Sequence, residues 1–325
     1  MGPPRLDRRA LAAAVAGCTF AAAAGLAGAR GRDGAAEGET AAAAAFARSR
    51  RRVELPAGRI AYAERGHGPA ALFVHGFPLN GYQWRGVMAR LAPQRRCLAP
   101  DLPGLGYTRP ARGRSFAPAA QADMLAAFLD ALDVDSADVV ANDSGGAVAQ
   151  LLHARHPGRV RSLLLSNCDS AIECPPPALS PVIELARQGR FVPEWLAPWL
   201  ADKALARSAT GLGGQTYTFP ERLSDAAIDT YLAPLVAEPA RTHGYALALA
   251  ANSLAGNESV QRASRIPVRI VWGTGDDIFS RRGAQHLHAS FGGSRGIRWV
   301  EGARLFFPEE YPDLVAAEVR ALWQD

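Results

Sequence analysis

Beyond its first 52 residues, this chain has no surplus of charge of either sign. Its 325 residues have a formal net charge of +5. Residues 1–52 hold nine Arg against four acidic side chains, a surplus of five, and the remaining residues carry 27 basic and 27 acidic side chains. Proteins that bind nucleic acid concentrate basic side chains on one face. The composition therefore predicts no nucleic-acid partner.

Cysteine is scarce, with four in the whole chain. Cys97 falls in a predicted buried strand, and Cys168 and Cys174 flank the start of a helical segment. These last two are predicted to be buried free thiols, with a disulfide between them as the alternative after export. No Cys/His cluster has metal-ligand spacing, and no Gly-rich loop has the phosphate-binding pattern. The sequence predicts no metal and no cofactor.

Long apolar runs are rare as well. The uncharged run at 10–26 is too short and too rich in Ala to predict a stable membrane span. It follows a basic start and precedes a small-x-small sequence, so residues 1–29 are predicted to be an export signal and the protein to be exported or periplasmic. A lipoprotein signal ending at Cys18, or a cytoplasmic protein that begins near Arg50, is the alternative. Residues 30–50 have low complexity and are predicted to be a disordered linker.

A short apolar run is followed almost at once by a helical segment. Residues 137–141 predict a buried strand and residues 147–156 a helix, so the backbone between them must reverse almost without a loop. Such a turn lifts the side chain at its apex into a strained, exposed position, and it requires small residues two before and two after that apex. The passage therefore predicts a nucleophile elbow, and the alternative is a Gly-rich turn without a chemical role.

The apex of this elbow is assigned to Asp143. With Asp143 at the apex, the flanking positions are Ala141 and Gly145, which are both small. With Ser144 at the apex, the preceding flank becomes Asn142, which fits poorly. The sequence predicts the Asp143 carboxylate as the nucleophile, and Ser144 as the donor of a backbone N–H to an oxyanion hole.

Three further passages accompany the elbow. A buried strand runs into His-Gly-Phe-Pro over 71–78, another strand ends in a Pro/Gly-rich turn over 96–108, and a third ends in Gly-Thr-Gly-Asp-Asp over 268–279. In this order the passages resemble the α/β-hydrolase superfamily over residues 52–324. An Asp at the apex is similar to the haloalkane dehalogenase and epoxide hydrolase branch. The resemblance implies that Phe77 supplies the second oxyanion N–H.

The resemblance implies an α/β-hydrolase fold, with a mostly parallel eight-stranded sheet flanked by helices and an inserted helical cap. A 325-residue chain that is 48% hydrophobic is consistent with one large α/β domain and an insertion. The core domain is predicted over 51–174 and 263–325, and the cap over 175–262, where apolar residues recur at helical spacing. In related enzymes the cap shapes the pocket. Five aromatic residues are the candidates to line it, with core packing as the alternative: Trp84, Phe191, Trp195, Trp199 and Tyr217.

The resemblance also implies a catalytic His in the loop after the last strand, and this chain lacks one. Aligning Gly302 and Phe306 with the superfamily pattern leaves Leu305 in the histidine's place, and residues 301–325 contain no His. In this branch the carboxylate forms an alkyl-enzyme ester, and a general base activates the water that breaks it. Such a base contributes about 10²–10⁴-fold, so the second half of the reaction is predicted to be impaired.

Other candidate acids and bases follow from the same resemblance. Asp276 lies where the superfamily holds the carboxylate that orients the catalytic His. His243, in the cap, is the predicted surrogate base. Asp169 lies near the alternative acid position, which the alignment puts closer to Asn167, and it is interpreted as a turn or surface residue.

The sequence therefore predicts a hydrolase that acts through Asp143 with an unconventional or impaired base. Its substrate is predicted to be a small, mostly apolar molecule of the haloalkane, epoxide or ester type. One alternative is a catalytically inactive ligand-binding protein on the same fold. A lyase-type use of the site is a further hypothesis. A binding protein gains nothing from a strained turn, so the elbow favours an enzyme. Leu305 in place of the usual His favours a binding protein instead.

Overall fold

A computed structural model describes residues 28–324, with side chains from residue 38 onward. The chain divides into two units, residues 1–38 and 39–325. Of the first unit the structure describes only the beginning of one helix. The predicted export signal, residues 1–29, lies outside the described residues except for its last two positions, 28 and 29.

Within the described residues, the strands form one sheet. They are β1 (Arg51–Leu55), β2 (Gly58–Arg65), β3 (Ala70–Val74), β4 (Arg96–Pro100), β5 (Arg109–Pro110), β6 (Ala137–Asp143), β7 (Val160–Cys168), β8 (Val268–Gly273) and β9 (Ser294–Val300). Eight of them lie in the order β1-β2-β4-β3-β6-β7-β8-β9, and the short β5 pairs with β2. Pairing is antiparallel from β1 to β4 and parallel from β4 to β9. The predicted mostly parallel sheet is confirmed, and the two-residue strand β5 makes the described sheet nine-stranded rather than eight-stranded.

The central strands are buried because helices cover both faces of a parallel sheet. Every residue of β3 and β6 is buried. The helices are α1 (Gly28–Ser49), α2 (Arg85–Leu91), α3 (Pro118–Ala131), α4 (Ser144–Arg155), α5 (Ser180–Arg187), α6 (Ala197–Ala201), α7 (Lys203–Arg207), α8 (Leu212–Thr216), α9 (Asp225–Ala237), α10 (Pro239–Ala248), α11 (Glu258–Ala263), α12 (Arg281–Ser290), α13 (Phe307–Glu310) and α14 (Pro312–Leu322). Single turns of 3₁₀ or π type lie at Gly81–Trp84, Pro177–Leu179, Val192–Leu196 and Pro220–Arg222.

Helix α1 corrects the prediction of a disordered linker over residues 30–50. Alanine has the highest helix propensity, and the helix also gains tertiary contacts near its end. Phe46 is 4% exposed, and its ring meets that of Tyr82 edge to face at 5.0 Å between centroids. The Arg50 guanidinium stacks over the Tyr107 ring at 3.7 Å. Composition alone missed these contacts because they depend on residues far along the chain.

The segment predicted as a cap, residues 175–262, contains helices and no strand. It connects β7 to β8, at the carboxyl ends of the parallel strands. Both Cys168 and Cys174 are free thiols. No helix within the described residues is long and apolar enough to span a membrane.

Candidate active site

The site is built around the junction of β6 and α4, where no loop separates strand from helix. β6 ends at Asp143, and α4 begins at Ser144. The backbone of Asp143 has φ +58° and ψ −143°. Positive φ is strained for a residue with a side chain, and such strain persists only where the surroundings impose it. The apex of the turn is therefore Asp143, whose side chain is 7% exposed and lines a cavity.

Two backbone N–H groups converge on one oxygen of the Asp143 carboxylate. The N–H of Phe77 donates to Oδ1 at 3.1 Å, and the N–H of Ser144 donates to the same oxygen. The loop after β3 reaches this close because residue 76 is Gly: a Cβ there would collide with the Asp143 side chain. Burial raises the pKa of Asp143 to about 6, against the lowering effect of these hydrogen bonds.

His75 braces this loop and is not available as a base. Its Nε2 accepts a hydrogen bond from the N–H of Leu102 at 3.0 Å, and its Nδ1 donates to the carbonyl of Gly76 at 3.0 Å. Burial lowers its pKa. A neutral imidazole with both nitrogens engaged holds the loop against the turn after β4.

Asp276 lies in the loop after β8 and is held by three donors. Its Oδ1 accepts from the N–H of Ile278 at 2.9 Å, and its Oδ2 accepts from the Asn167 side-chain amide at 2.8 Å and from the N–H of Phe279 at 3.3 Å. Burial raises its pKa to about 6. Ile278 and Phe279 form part of the cavity wall. Asp276 therefore lies directly behind that wall.

Leu305 lies on the cavity wall and is 1% exposed. Its carbonyl accepts a hydrogen bond from the Asn142 side-chain amide at 3.1 Å, and the same amide donates to the carbonyl of Ser166 at 2.9 Å. Asn142 thus ties the loop that carries Leu305 to the sheet beside the elbow. The sequence shows Asn142 only as a poor flank for the elbow, because its partner Leu305 lies 163 residues away.

The cavity has a volume of ≈ 140 Å³ and lies between the carboxyl edge of the sheet and the helices of residues 175–262. Three of the predicted aromatic residues line it: Phe191, Trp195 and Trp199. No Lys, Arg or His is among the described residues that line it. Nor does the described part of the chain hold a group of three His, Cys, Asp or Glu side chains that could bind a metal.

Comparison with known proteins agrees with this architecture. Residues 69–311 match the family described as alpha/beta hydrolase fold. The chain belongs to this family. A haloalkane dehalogenase of Mesorhizobium japonicum is 40% identical over 121 residues, 37% of this chain and 38% of that protein. A 2-hydroxymuconate semialdehyde hydrolase of Pseudomonas sp. (strain CF600) is 43% identical over 82 residues, 25% of this chain and 29% of that protein. These matches therefore span well under half of either relative.

A solved structure covers more of the chain. The crystal structure of an alpha/beta hydrolase fold protein from Burkholderia ambifaria superposes with a TM-score of 0.70 at 25% identity, covering 83% of this chain and 96% of that one. Such coverage extends the likeness in fold to the helices between β7 and β8.

Two of the five aromatic residues predicted to line the pocket of this chain lie outside its cavity. Trp84 is fully buried and packs against Phe73, with 5.7 Å between ring centroids. The hydroxyl of Tyr217 donates to Glu309 at 2.7 Å, and Glu309 also pairs with Arg85 at 2.5 Å. Neither residue is on the cavity wall. Trp84 belongs to the core and Tyr217 to a buried ionic cluster, because each ring packs away from the elbow.

The structure also corrects the prediction of His243 as surrogate base. Its Nε2 accepts a hydrogen bond from the N–H of Val192 at 3.1 Å, and it is not among the residues that line the cavity. Burial lowers its pKa. The nitrogen that would take a proton from water already holds the backbone of a neighbouring turn.

Asp169, which the sequence predicts to be a turn or surface residue, lies in the cavity instead. Asp169 is 5% exposed and lines the same cavity as Asp143. It follows the last residue of β7, and side chains that follow parallel strands meet at one edge of the sheet. Burial raises its pKa to about 8, and the charge of Asp143 adds to the shift. Its position after a predicted strand was the signal that could have identified it.

The raised pKa predicts how Asp169 affects stability. Between about pH 4, the usual value for Asp, and about pH 8, the folded state keeps a proton on Asp169 that the unfolded chain has lost. Stability therefore falls as pH rises through this window. We expect the free energy of unfolding of Asp169→Asn to exceed that of wild type by a margin that grows as pH rises, by up to about 1.4 kcal/mol per pH unit.

Urea unfolding of both proteins at several pH values measures this difference. Asp135→Asn is the matched control, because Asp135 is exposed on the loop before β6. Unfolding free energies of Asp169→Asn and wild type that run parallel between pH 4 and pH 8 would contradict the prediction.

Proposed function

We propose that this protein is a hydrolase that acts on a small, mostly apolar substrate through Asp143 as nucleophile. The observation that carries the proposal is the pair of N–H groups, from Phe77 and Ser144, on Oδ1 of a carboxylate at the apex of a strained turn. Donors aimed at one carboxyl oxygen stabilise the negative charge that develops there when water adds to an ester of that carboxylate.

The first step of the proposed reaction needs no base. With a haloalkane, the Asp143 carboxylate attacks the carbon that bears the halogen, the carbon–halogen bond breaks, and the halide leaves with the electron pair. The product is an ester of Asp143. In the second step water adds to the ester carbonyl and must lose a proton, and Leu305 stands where the family carries a His for this purpose. We propose that haloalkane turnover stalls at the ester.

The substrate class follows from the cavity. Its volume of ≈ 140 Å³ compares with an engineered cavity of about 150 Å³ in another protein that holds benzene. The wall is mostly apolar and its charged residues are acidic, so an anionic substrate is disfavoured. Small neutral haloalkanes, epoxides or esters fit these limits.

Intact-protein mass spectrometry tests the proposal. Incubation with bromobutane is expected to add one butyl group to each molecule, on Asp143, with less than one equivalent of butanol released. Asp143→Asn should form no adduct, because a neutral amide is a weak nucleophile. An adduct on another residue, or none on a folded protein, would contradict the nucleophile assignment.

The second candidate function is a ligand-binding protein, which Leu305 favours because it removes the usual base. Bromobutane that neither modifies the protein nor is hydrolysed, together with saturable binding of an apolar ligand such as benzene, would support it.

A further inference from the structure

Two carboxyl side chains face the cavity from neighbouring strands. Asp143, at the end of β6, is the register partner of Cys168 in β7, and Asp169 is the next residue. Adjacent strands lie about 4.8 Å apart, so the two Asp residues start from neighbouring positions on the sheet edge. Both line the cavity and are less than 10% exposed, at 7% and 5%.

No Lys, Arg or His is among the described residues that line the cavity with Asp169, so none of them balances a second carboxylate. The ionisable groups that act on it are the carboxylates of Asp143 and Glu173 and the thiols of Cys174 and Cys168. The Tyr245 hydroxyl, which bonds to the Ser144 side chain, also faces the pair. All of these groups are acidic or neutral. Two carboxyl groups that share such a site do not both ionise, so one keeps a proton.

Of the two carboxyl groups, Asp169 is the one that keeps the proton. Asp143 has two backbone N–H donors that stabilise its charged form. The hydrogen bonds that favour the charged form of Asp169 come, within the described residues, from the Cys174 thiol and from its own backbone N–H. Burial raises the pKa of Asp143 to about 6 and that of Asp169 to about 8. Near pH 7 the cavity therefore holds a carboxylate nucleophile beside a carboxylic acid.

We propose that Asp169 is both the acid and the base of the reaction, and that the substrate class is epoxides. This inference rests on the proposed function of Asp143. In the first step Asp143 attacks an epoxide carbon, the carbon–oxygen bond of the ring breaks, and the oxygen takes the proton of Asp169. The products are a hydroxyalkyl ester on Asp143 and a carboxylate on Asp169.

The second step returns the proton. The Asp169 carboxylate removes a proton from a water molecule, whose oxygen adds to the ester carbonyl. The ester bond then breaks, and the remaining proton of that water goes to the departing alkoxide. Asp143 is again a carboxylate, Asp169 again carries a proton, and the released product is a diol. One residue thus supplies the acid for ring opening and the base that the loop of Leu305 lacks.

The same cycle explains why an epoxide suits this site better than a haloalkane. A halide leaves without a proton, so Asp169 remains protonated and cannot act on water. A ring oxygen accepts the proton and leaves Asp169 as a base. Epoxides should therefore turn over, whereas haloalkanes should stop at the ester.

Epoxybutane and bromobutane both have four carbon atoms, and comparing them separates ester formation from ester hydrolysis. We expect wild type to convert epoxybutane to the diol over many turnovers and to accumulate the bromobutane adduct. The rate with epoxybutane should be bell-shaped in pH, rising as Asp143 ionises near 6 and falling as Asp169 ionises near 8. In Asp169→Asn, diol formation should fall by about 10²–10⁴-fold, while the bromobutane adduct still forms.

The bromobutane adduct is also the test of an intact site, because it needs Asp143 but not Asp169. An Asp169→Asn protein that forms this adduct yet makes diol at the wild-type rate would overturn the role of Asp169 and leave the nucleophile assignment standing. Wild type that reacts with neither probe would overturn the proposed function itself. Asp135→Asn is the matched carboxylate-to-amide control and should keep both activities.

Discussion

Leu305→His is expected to hydrolyse bromobutane about 10²–10⁴-fold faster than wild type, the range that a general base contributes. The side chain of Leu305 lines the cavity, and its backbone is held by Asn142, so an imidazole there would face the ester of Asp143. Asp276 accepts three hydrogen bonds and a carboxylate has about four acceptor sites. One site therefore remains for the new ring N–H.

Steady-state release of butanol and bromide measures this gain. Leu305→Asn is the matched control, since it places a polar side chain on the wall without a base, and it should stay at the wild-type level. Asp276→Asn in the Leu305→His background should reduce the gain. A Leu305→His protein that still accumulates the ester would show that the imidazole cannot reach the attacking water.

Gly145→Ala is expected to slow adduct formation by about 10²-fold and to lower stability. A Cβ on Gly145 would lie 2.7 Å from the carbonyl oxygen of Val74 and would also collide with that of His75. Both are main-chain atoms that lead into the loop of Phe77, so the loop must shift away from the elbow. Overpacking of this kind costs about 1–3 kcal/mol, and a misplacement of about 1 Å can reduce rate by about 10²-fold.

Gly38→Ala is the control for this substitution. A Cβ on Gly38 would meet nothing within 4 Å, and the residue lies in helix α1. Replacing Gly by Ala in a helix stabilises it by about 1 kcal/mol. Gly38→Ala should therefore label with bromobutane at the wild-type rate and unfold at or slightly above the wild-type temperature, whereas Gly145→Ala should label more slowly and unfold at a lower temperature. Equal labelling rates in the two variants would mean that the loop accommodates the extra methyl group.

Features that depend on local pattern were predictable from the sequence. The elbow needs an apolar strand, a helix and small flanking residues within about ten positions, and Gly145 is small because the β3 backbone passes directly over it. The parallel sheet was implied by the resemblance of four short passages to the α/β-hydrolase superfamily. The role of Asp143 as nucleophile stays a proposal that the labelling experiment tests.

The identity of the side chains on the cavity wall could not be obtained in this way. Trp84, Tyr217 and His243 have the chemistry of pocket residues, but each side chain is directed to a partner outside the cavity: Phe73, Glu309 and the backbone of Val192. Asp is a residue type that is common in turns, and yet Asp169 is buried in the same cavity as Asp143. Helices distant in sequence must pack over the sheet edge before a cavity exists.

The sequence alone was therefore sufficient for the fold, through its resemblance to the α/β-hydrolase superfamily, and for the elbow, because the elbow depends on residues that are neighbours in the chain. The pairing of Asp143 with Asp169 arises only after folding, when two strands bring their ends together in a cavity whose described lining residues include no Lys, Arg or His. Burial without a counter-ion is a property of that three-dimensional arrangement, and it is what leaves one carboxyl group protonated.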